Sequence, residues 1–279
     1  MAEKPIGLFG VGLLGSAIAD RLSQASQPWI GFDPLRPEFA PNPEWVLEQA
    51  DTLILCLPDS HVTAGLLPSI PATKLIIDTT TGDPAEMADF AAQRTTYLDV
   101  TIGGSSAHLR AGQALLMAGG LPSAYAAARP VLEKLSDKIF YCGPPGSGAR
   151  MKLAFNLVLG LNRAALAEGL AFAEHAGLDT KTTLEVLQSG PAASVIMERK
   201  GPKMLTRDYT PEARLAQHHK DVRIILATAE GNGIALPLTQ AHNEILAQAE
   251  ALGFAECDNS ALIEAYRSDS VVNQLKAEQ

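Results

Sequence analysis

Lys152 and Asn156 are the residues whose types and spacing are best suited to moving a proton. They stand one turn apart at the start of a long apolar-periodic run, so a helix there carries both side chains on one face. A lysine in a first helical turn feels the positive end of the dipole, and enclosure in a cleft strips water from its amine. Both effects disfavour the ammonium and lower its pKa toward neutrality, as a general acid/base requires. The same spacing also suits a solvated lysine beside a capping asparagine, so the assignment turns on what surrounds it.

A second stretch offers a place for an anion. Residues 6–22 pass from an apolar run through Gly10, Val11, Gly12, Leu13, Leu14 and Gly15 into a helical pattern of Leu14, Ile18 and Leu22. In a G-x-G-x-x-G strand-to-helix turn the first glycine makes the turn and the second lets a pyrophosphate reach the backbone. The third lets helix and strand pack closely, and the phosphate rests on the helix N-terminus. A second apolar run, Trp29 to Phe32, ends in Asp33, placed to take the hydroxyls of an adenine ribose. The alternative is a similar unit that holds another nucleotide or none. A carboxylate repels a 2′-phosphate, so Asp33 predicts NAD, while Arg36 nearby keeps NADP open.

These residues need elements to hold them. The chain has 279 residues, 47% of them hydrophobic, which predicts two domains. A net charge of −9 and a sequence pI near 5.2 argue against a nucleic-acid partner. Met1 to Pro5 lead straight into the first apolar run, leaving no space for a signal peptide, and the longest apolar region, residues 153–178, contains Arg163, Glu168 and Glu174. The expectation is a soluble, cytoplasmic protein without membrane partners. Cys56, Cys142 and Cys257 are odd in number and scattered, which fits reduced, mostly buried thiols rather than a disulfide framework or a zinc site.

Further strands are expected at residues 51–57, 75–78, 97–102, 114–118 and 138–141, with helices over residues 44–49, 85–93 and 123–135. Alternation of this kind predicts an α/β fold with an N-terminal Rossmann-type, doubly wound sheet, mostly parallel. After the Gly143-to-Gly148 segment only helical periodicity remains, near 149–176, 180–189, 192–199, 212–231, 238–252 and 259–267. The boundary is therefore set between a dinucleotide-binding domain, 1–145, and an all-helical C-terminal domain, 146–279, for substrate and oligomerisation. Its apolar helix faces predict a homodimer or homotetramer.

Taken together, these blocks resemble the β-hydroxyacid dehydrogenases, the group that contains 3-hydroxyisobutyrate dehydrogenase and tartronate semialdehyde reductase. Gly10 to Gly15 match the family's cofactor signature. Asp78 to Pro84 resemble its D-x-S-T-x-x-P loop, which implies that Thr81 approaches the nicotinamide, and Leu57 and Pro58 sit where the family has a cofactor loop. Gly146 to Asn156 resemble G-x-G-x-x-x-K-x-x-x-N, which implies Lys152 as the catalytic lysine with Asn156 beside it. His219-Lys220-Asp221-Val222 match a K-D-L motif, whose lysine, here Lys220, lines the cofactor and substrate site.

One block departs from that pattern. The family's substrate loop runs D-x-P-x-S-G-G, and here it reads Asp99 to Ser105, with Gly103 where a serine usually holds the substrate carboxylate. Backbone N–H groups of Gly103 and Gly104, with the hydroxyl of Ser105 or Ser106, are the substitutes on offer. His108 in this loop reads as a solvated side chain. Arg163, Glu168 and Glu174 read as pairs at the surface or between the domains. His218 and His219 read as helix surface rather than a metal pair, because adjacent residues face apart, and no metal site is expected.

The resemblance implies an NAD-dependent oxidoreductase acting on a small 3-hydroxy acid or its semialdehyde, with NADP as the alternative cofactor. Two rivals are an imine reductase, whose members usually carry another residue in place of the lysine, and a catalytically silent NAD(P)-binding module.

Overall fold

The computed structural model describes residues 4–268; residues 1–3 and 269–279, which include the start of the first predicted domain and the end of the second, lie outside the described residues. Among the described residues, seven strands form one sheet: β1 (Ile6–Phe9), β2 (Trp29–Phe32), β3 (Thr52–Leu55), β4 (Leu75–Asp78), β5 (Tyr97–Gly103), β6 (Leu115–Gly120) and β7 (Lys138–Gly143). The helices are α1 (Leu13–Gln24), α2 (Pro43–Gln49), α3 (Ser60–Leu66), α4 (Pro84–Gln93), α5 (Ser106–Arg110), α6 (Pro122–Leu135), α7 (Ser147–His175), α8 (Thr180–Ser189), α9 (Val195–Thr206), α10 (Leu215–Gly231), α11 (Pro237–Ala251) and α12 (Ile263–Arg267).

The spatial order is β2-β1-β3-β4-β5-β6-β7, parallel throughout except for the antiparallel pair β5 and β6. β1 is buried along its whole length because helices cover both faces of the sheet, which is why its sequence shows no polar alternation. Successive residues point to opposite faces. Leu8 joins Ile18, Leu22 and Ile54 in one core, while Phe9 joins Val46, Leu53, Leu55 and Met87 in the other. Side-chain oxygens start the helices: Asn42 caps α2, Asp59 caps α3 and Asp83 caps α4.

The chain divides into two compact units, Met1–Lys152 and Leu153–Gln279, so the division falls within the first turns of α7. Those turns belong with the sheet because β5 holds them by hydrogen bonds described below. The second unit is helical, with Leu170, Met204, Leu215, Val222, Leu246 and Leu262 in its core. A buried ion pair crosses it, Lys200 Nζ lying 2.8 and 2.9 Å from the two carboxylate oxygens of Asp258. Burial pushes that carboxyl up, but Lys200 and the backbone N–H of Glu212 outweigh it and hold it down to about 2. No helix among the described residues is long and apolar enough to cross a membrane.

Several expectations change here. α3 carries no periodicity strong enough to announce it, and the expected loop that ends at Ser105 continues into α5. α9 runs well past residue 199 because Pro202 is accommodated inside it. Arg163 is not a surface residue: it is almost fully buried, and burial pulls its guanidinium down to about 10. The three cysteines are free and half-buried rather than buried.

Candidate active site

The glycine turn is built by close packing. Gly10 adopts φ +85°, and a Cβ there would lie 2.3 Å from the carbonyl oxygen of Cys56; one on Gly15 would lie 2.0 Å from that of Gly10. Gly12 is different, since a Cβ on it would meet nothing within 4 Å. It is the N-cap of α1 and offers no side-chain cap, so the first-turn N–H groups of a twelve-residue helix face open space with the dipole behind them. Leu13 is exposed there, and Val11 and Leu14 flank the turn from the buried side. The Asp33 carboxylate accepts the N–H of Val11 at 2.8 Å and that of Leu35 at 2.9 Å, which fixes it beside the turn. An open glycine, uncapped N–H donors and a fixed acid together fit a dinucleotide diphosphate and ribose.

Two loops at the carboxyl ends of neighbouring strands are tied together. Leu57, just beyond β3, donates its N–H to Thr80 Oγ1 at 3.2 Å, and Thr80 N–H reaches Asp78 Oδ1 at 2.9 Å. Tyr97 donates its hydroxyl to the other Asp78 oxygen at 2.7 Å. Burial pushes the Asp78 carboxyl above its ordinary range, against the pull of Thr80 and Tyr97. Leu57 and Thr81 are half-buried and Pro58 is exposed on the loops that this network holds.

Lys152 is positioned by β5. Alternate residues of that strand face α7: Asp99 accepts the N–H of Gly146 and of Ala149, each at 2.9 Å, and Thr101 donates its hydroxyl to the Gly148 carbonyl at 2.8 Å. Close approach is possible only because the facing positions are glycines. A Cβ on Gly148 would lie 2.4 Å from the Asp99 carbonyl, and one on Gly119 2.5 Å from the Gly148 nitrogen. Burial pushes the Asp99 carboxyl up, opposed by the Ala149 and Gly146 donors. With the first turns so anchored, Lys152 Nζ donates to the carbonyl of Ile102 at 2.6 Å. The amine therefore lies at the end of β5, where Gly103 leads into the predicted substrate loop.

That loop is compact. Gly103 pairs in register with Leu115, and a side chain on it would start 3.2 Å from Leu115 Cβ, so a serine here would crowd its cross-strand neighbour. Gly104 has φ +115° with His108 packed against it. The Ser105 hydroxyl closes a capping box with His108, accepting its N–H at 3.4 Å while the ring Nδ1 accepts the Ser105 N–H at 3.1 Å. His108 is thus part of a helix cap rather than a solvated side chain.

In the second unit, Asn156 is buried and donates Nδ2–H to Asp221 Oδ2 at 3.0 Å; Asp221 follows the half-buried Lys220 on α10. His218 and His219 are both buried, not surface residues. They do face apart, but packing neighbours receive both: His218 meets Gly160 of α7 and His242 of α11, while His219 meets Asn243 and Glu250 of α11. The Nε2 atoms of His218 and His242 are 3.0 Å apart. Burial, with Arg163 and His219 adding to it, pulls the His242 imidazole down to about 4. An unfolded histidine takes a proton near pH 6.5, so the unfolded chain gains protons first as the pH falls. Stability is accordingly expected to drop by about 2–3 kcal/mol between pH 7 and 4.5 through this residue, and His242→Gln should flatten that part of the slope in urea melts.

Asp99, Thr80 and Asp221 lie in blocks that the sequence shows, but their anchoring roles escape it. Their types are ordinary, and only the fold supplies their partners.

Comparisons with known proteins agree with this fold. The model described as the NAD-binding domain of 6-phosphogluconate dehydrogenase matches residues 5–143, and the one described as NAD-binding of NADP-dependent 3-hydroxyisobutyrate dehydrogenase matches residues 146–266. The chain is 28% identical over 280 residues to 2-hydroxy-3-oxopropionate reductase of Escherichia coli K12, covering 93% of this chain and 96% of that one. It is 30% identical over 242 residues to the cytokine-like nuclear factor N-PAC of Aedes aegypti, covering 83% of this chain but only 43% of that protein. A solved structure of Mycobacterium tuberculosis 3-hydroxyisobutyrate dehydrogenase with L-serine superposes with a TM-score of 0.85 at 26% identity, covering 96% of this chain and 100% of that one. Fold and site define an NAD(P)-dependent oxidoreductase. Within that class, the chain belongs to the β-hydroxyacid dehydrogenase family.

Proposed function

We propose that this chain interconverts a small 3-hydroxy acid and its semialdehyde, with Lys152 as the general acid/base. The observation that carries this is the 2.6 Å hydrogen bond from Lys152 Nζ to the Ile102 carbonyl, which fixes the amine at the head of the Gly103–Ser105 loop. When bound, a nicotinamide dinucleotide supplies or accepts the hydride. Gly10 to Gly15, Asp33, Leu57, Pro58 and Thr81 hold it, with Lys220 lending positive charge. In oxidation Lys152 takes the hydroxyl proton, and in reduction it returns one to the carbonyl oxygen. Asn156, set by Asp221, orients that oxygen. The backbone N–H groups of Gly103 and Gly104, with Ser105, receive the substrate carboxylate, because no side chain on Gly103 does so.

The relatives support the substrate class: one is named for 2-hydroxy-3-oxopropionate and another for 3-hydroxyisobutyrate. Three free cysteines suit a reducing cytoplasm, and exposed Val158, Phe172, Val186 and Val195 suit a homodimer or homotetramer. Similarity to the N-PAC nuclear factor favours a second reading, a dinucleotide-binding module without turnover. A panel of short-chain 3-hydroxy acids and semialdehydes, followed by NADH absorbance, separates the two. The enzyme reading expects turnover with at least one member, whereas tight NADH binding with no turnover on any member supports the module.

A further inference from the structure

We propose that this chain selects NAD over NADP, and that Glu38 enforces the choice by occupying Arg36. The inference rests on the reading of Gly10 to Gly15 as a dinucleotide cradle and goes beyond it by giving Glu38 a role and deciding which way Arg36 acts.

Beside Asp33, the side chain able to welcome a 2′-phosphate is Arg36, because a guanidinium grips phosphate through a fork of two N–H groups on neighbouring nitrogens. Its nitrogens are already committed. Nη1 donates to the Val11 carbonyl at 2.9 Å and reaches Ser16 Oγ at 3.4 Å. Nε donates to Glu38 Oε1 at 2.8 Å, and Nη2 lies 2.7 Å from the same oxygen. One face of the guanidinium stacks on Phe39, with Cζ 4.9 Å from the ring centroid. All three nitrogens are engaged, and the Nε–Nη2 fork that would grip a phosphate is turned to Glu38.

The charge balance points the same way. Asp33 is fixed by two backbone donors, and Glu38 adds a second carboxylate against the single guanidinium. A phosphate monoester bearing nearly two negative charges would enter a site whose fixed charge is already net negative. NAD presents only hydroxyls there, which Asp33 accepts. The Arg36–Glu38 pair is half-exposed and contributes little to stability; its effect is to offset the charge of Arg36 beside the ribose position.

The test is titration calorimetry of the purified protein with NADH and with NADPH. The wild type is expected to bind NADH at least about tenfold more tightly. Glu38→Gln removes the charge that holds Arg36 and should strengthen NADPH binding severalfold more than NADH binding. Adding Arg36→Ala to Glu38→Gln should abolish that gain, which shows that the freed guanidinium produced it. Equal or tighter binding of NADPH by the wild type, or a ratio unmoved by Glu38→Gln, would overturn the proposal. Binding of neither dinucleotide would overturn the cradle reading itself, a distinct result that removes the proposal with it.

Discussion

Lys152→Ala is expected to lower turnover by about 10²- to 10⁴-fold, the range that a positioned acid/base supplies. Dinucleotide affinity should stay within about twofold, because the residues that hold the diphosphate lie in the turn at Gly10 to Gly15, far along the chain. Folding should survive, since the Ile102 carbonyl is released from a bond that is only half-buried. If the amine acts only in the transition state, kcat and kcat/KM fall together; a rise in KM alone would assign Lys152 to substrate binding. Steady-state kinetics beside an NADH titration reads both.

Asp99→Asn is the second large effect. The carboxylate is almost fully buried and accepts N–H groups from Gly146 and Ala149 on separate oxygens. Asparagine keeps the shape but turns an NH₂ toward one of those donors, leaving two buried N–H groups facing each other. The expected cost is about 2–4 kcal/mol in urea melts. Turnover should also fall at temperatures where the variant remains folded, because the first turns of α7 carry Lys152 and lose their hold on β5. Full turnover in the folded variant would show that Lys152 needs no such anchoring.

The candidate site residues were legible because their signals are local. Gly10, Gly12, Gly15 and Asp33 lie within one strand-helix-strand unit, and Lys152 and Asn156 within one turn of a helix. Hydrophobic pattern likewise located β1 to β7 and α7, the longest periodic run. What escaped depends on partners distant in sequence. Nothing near Asp99 reveals that it will meet Gly146 and Ala149, and nothing near Asp221 announces Asn156. His218 and His219 face apart as helix geometry demands, yet both are buried because α11 lies along α10. α5 was hidden because its capping box uses His108 in place of the usual Glu or Gln. α9 outran its expected end because Pro202 commonly stops a helix and here does not.

The central claim is that the amine of Lys152 meets the oxygen that gains or loses the proton. A crystal structure of the wild-type protein with a nicotinamide dinucleotide and a small 3-hydroxy acid measures it directly. The account expects Nζ within about 2.6–3.2 Å of the substrate hydroxyl. A substrate bound with its hydroxyl beyond reach of Nζ, and served by another side chain, would contradict it.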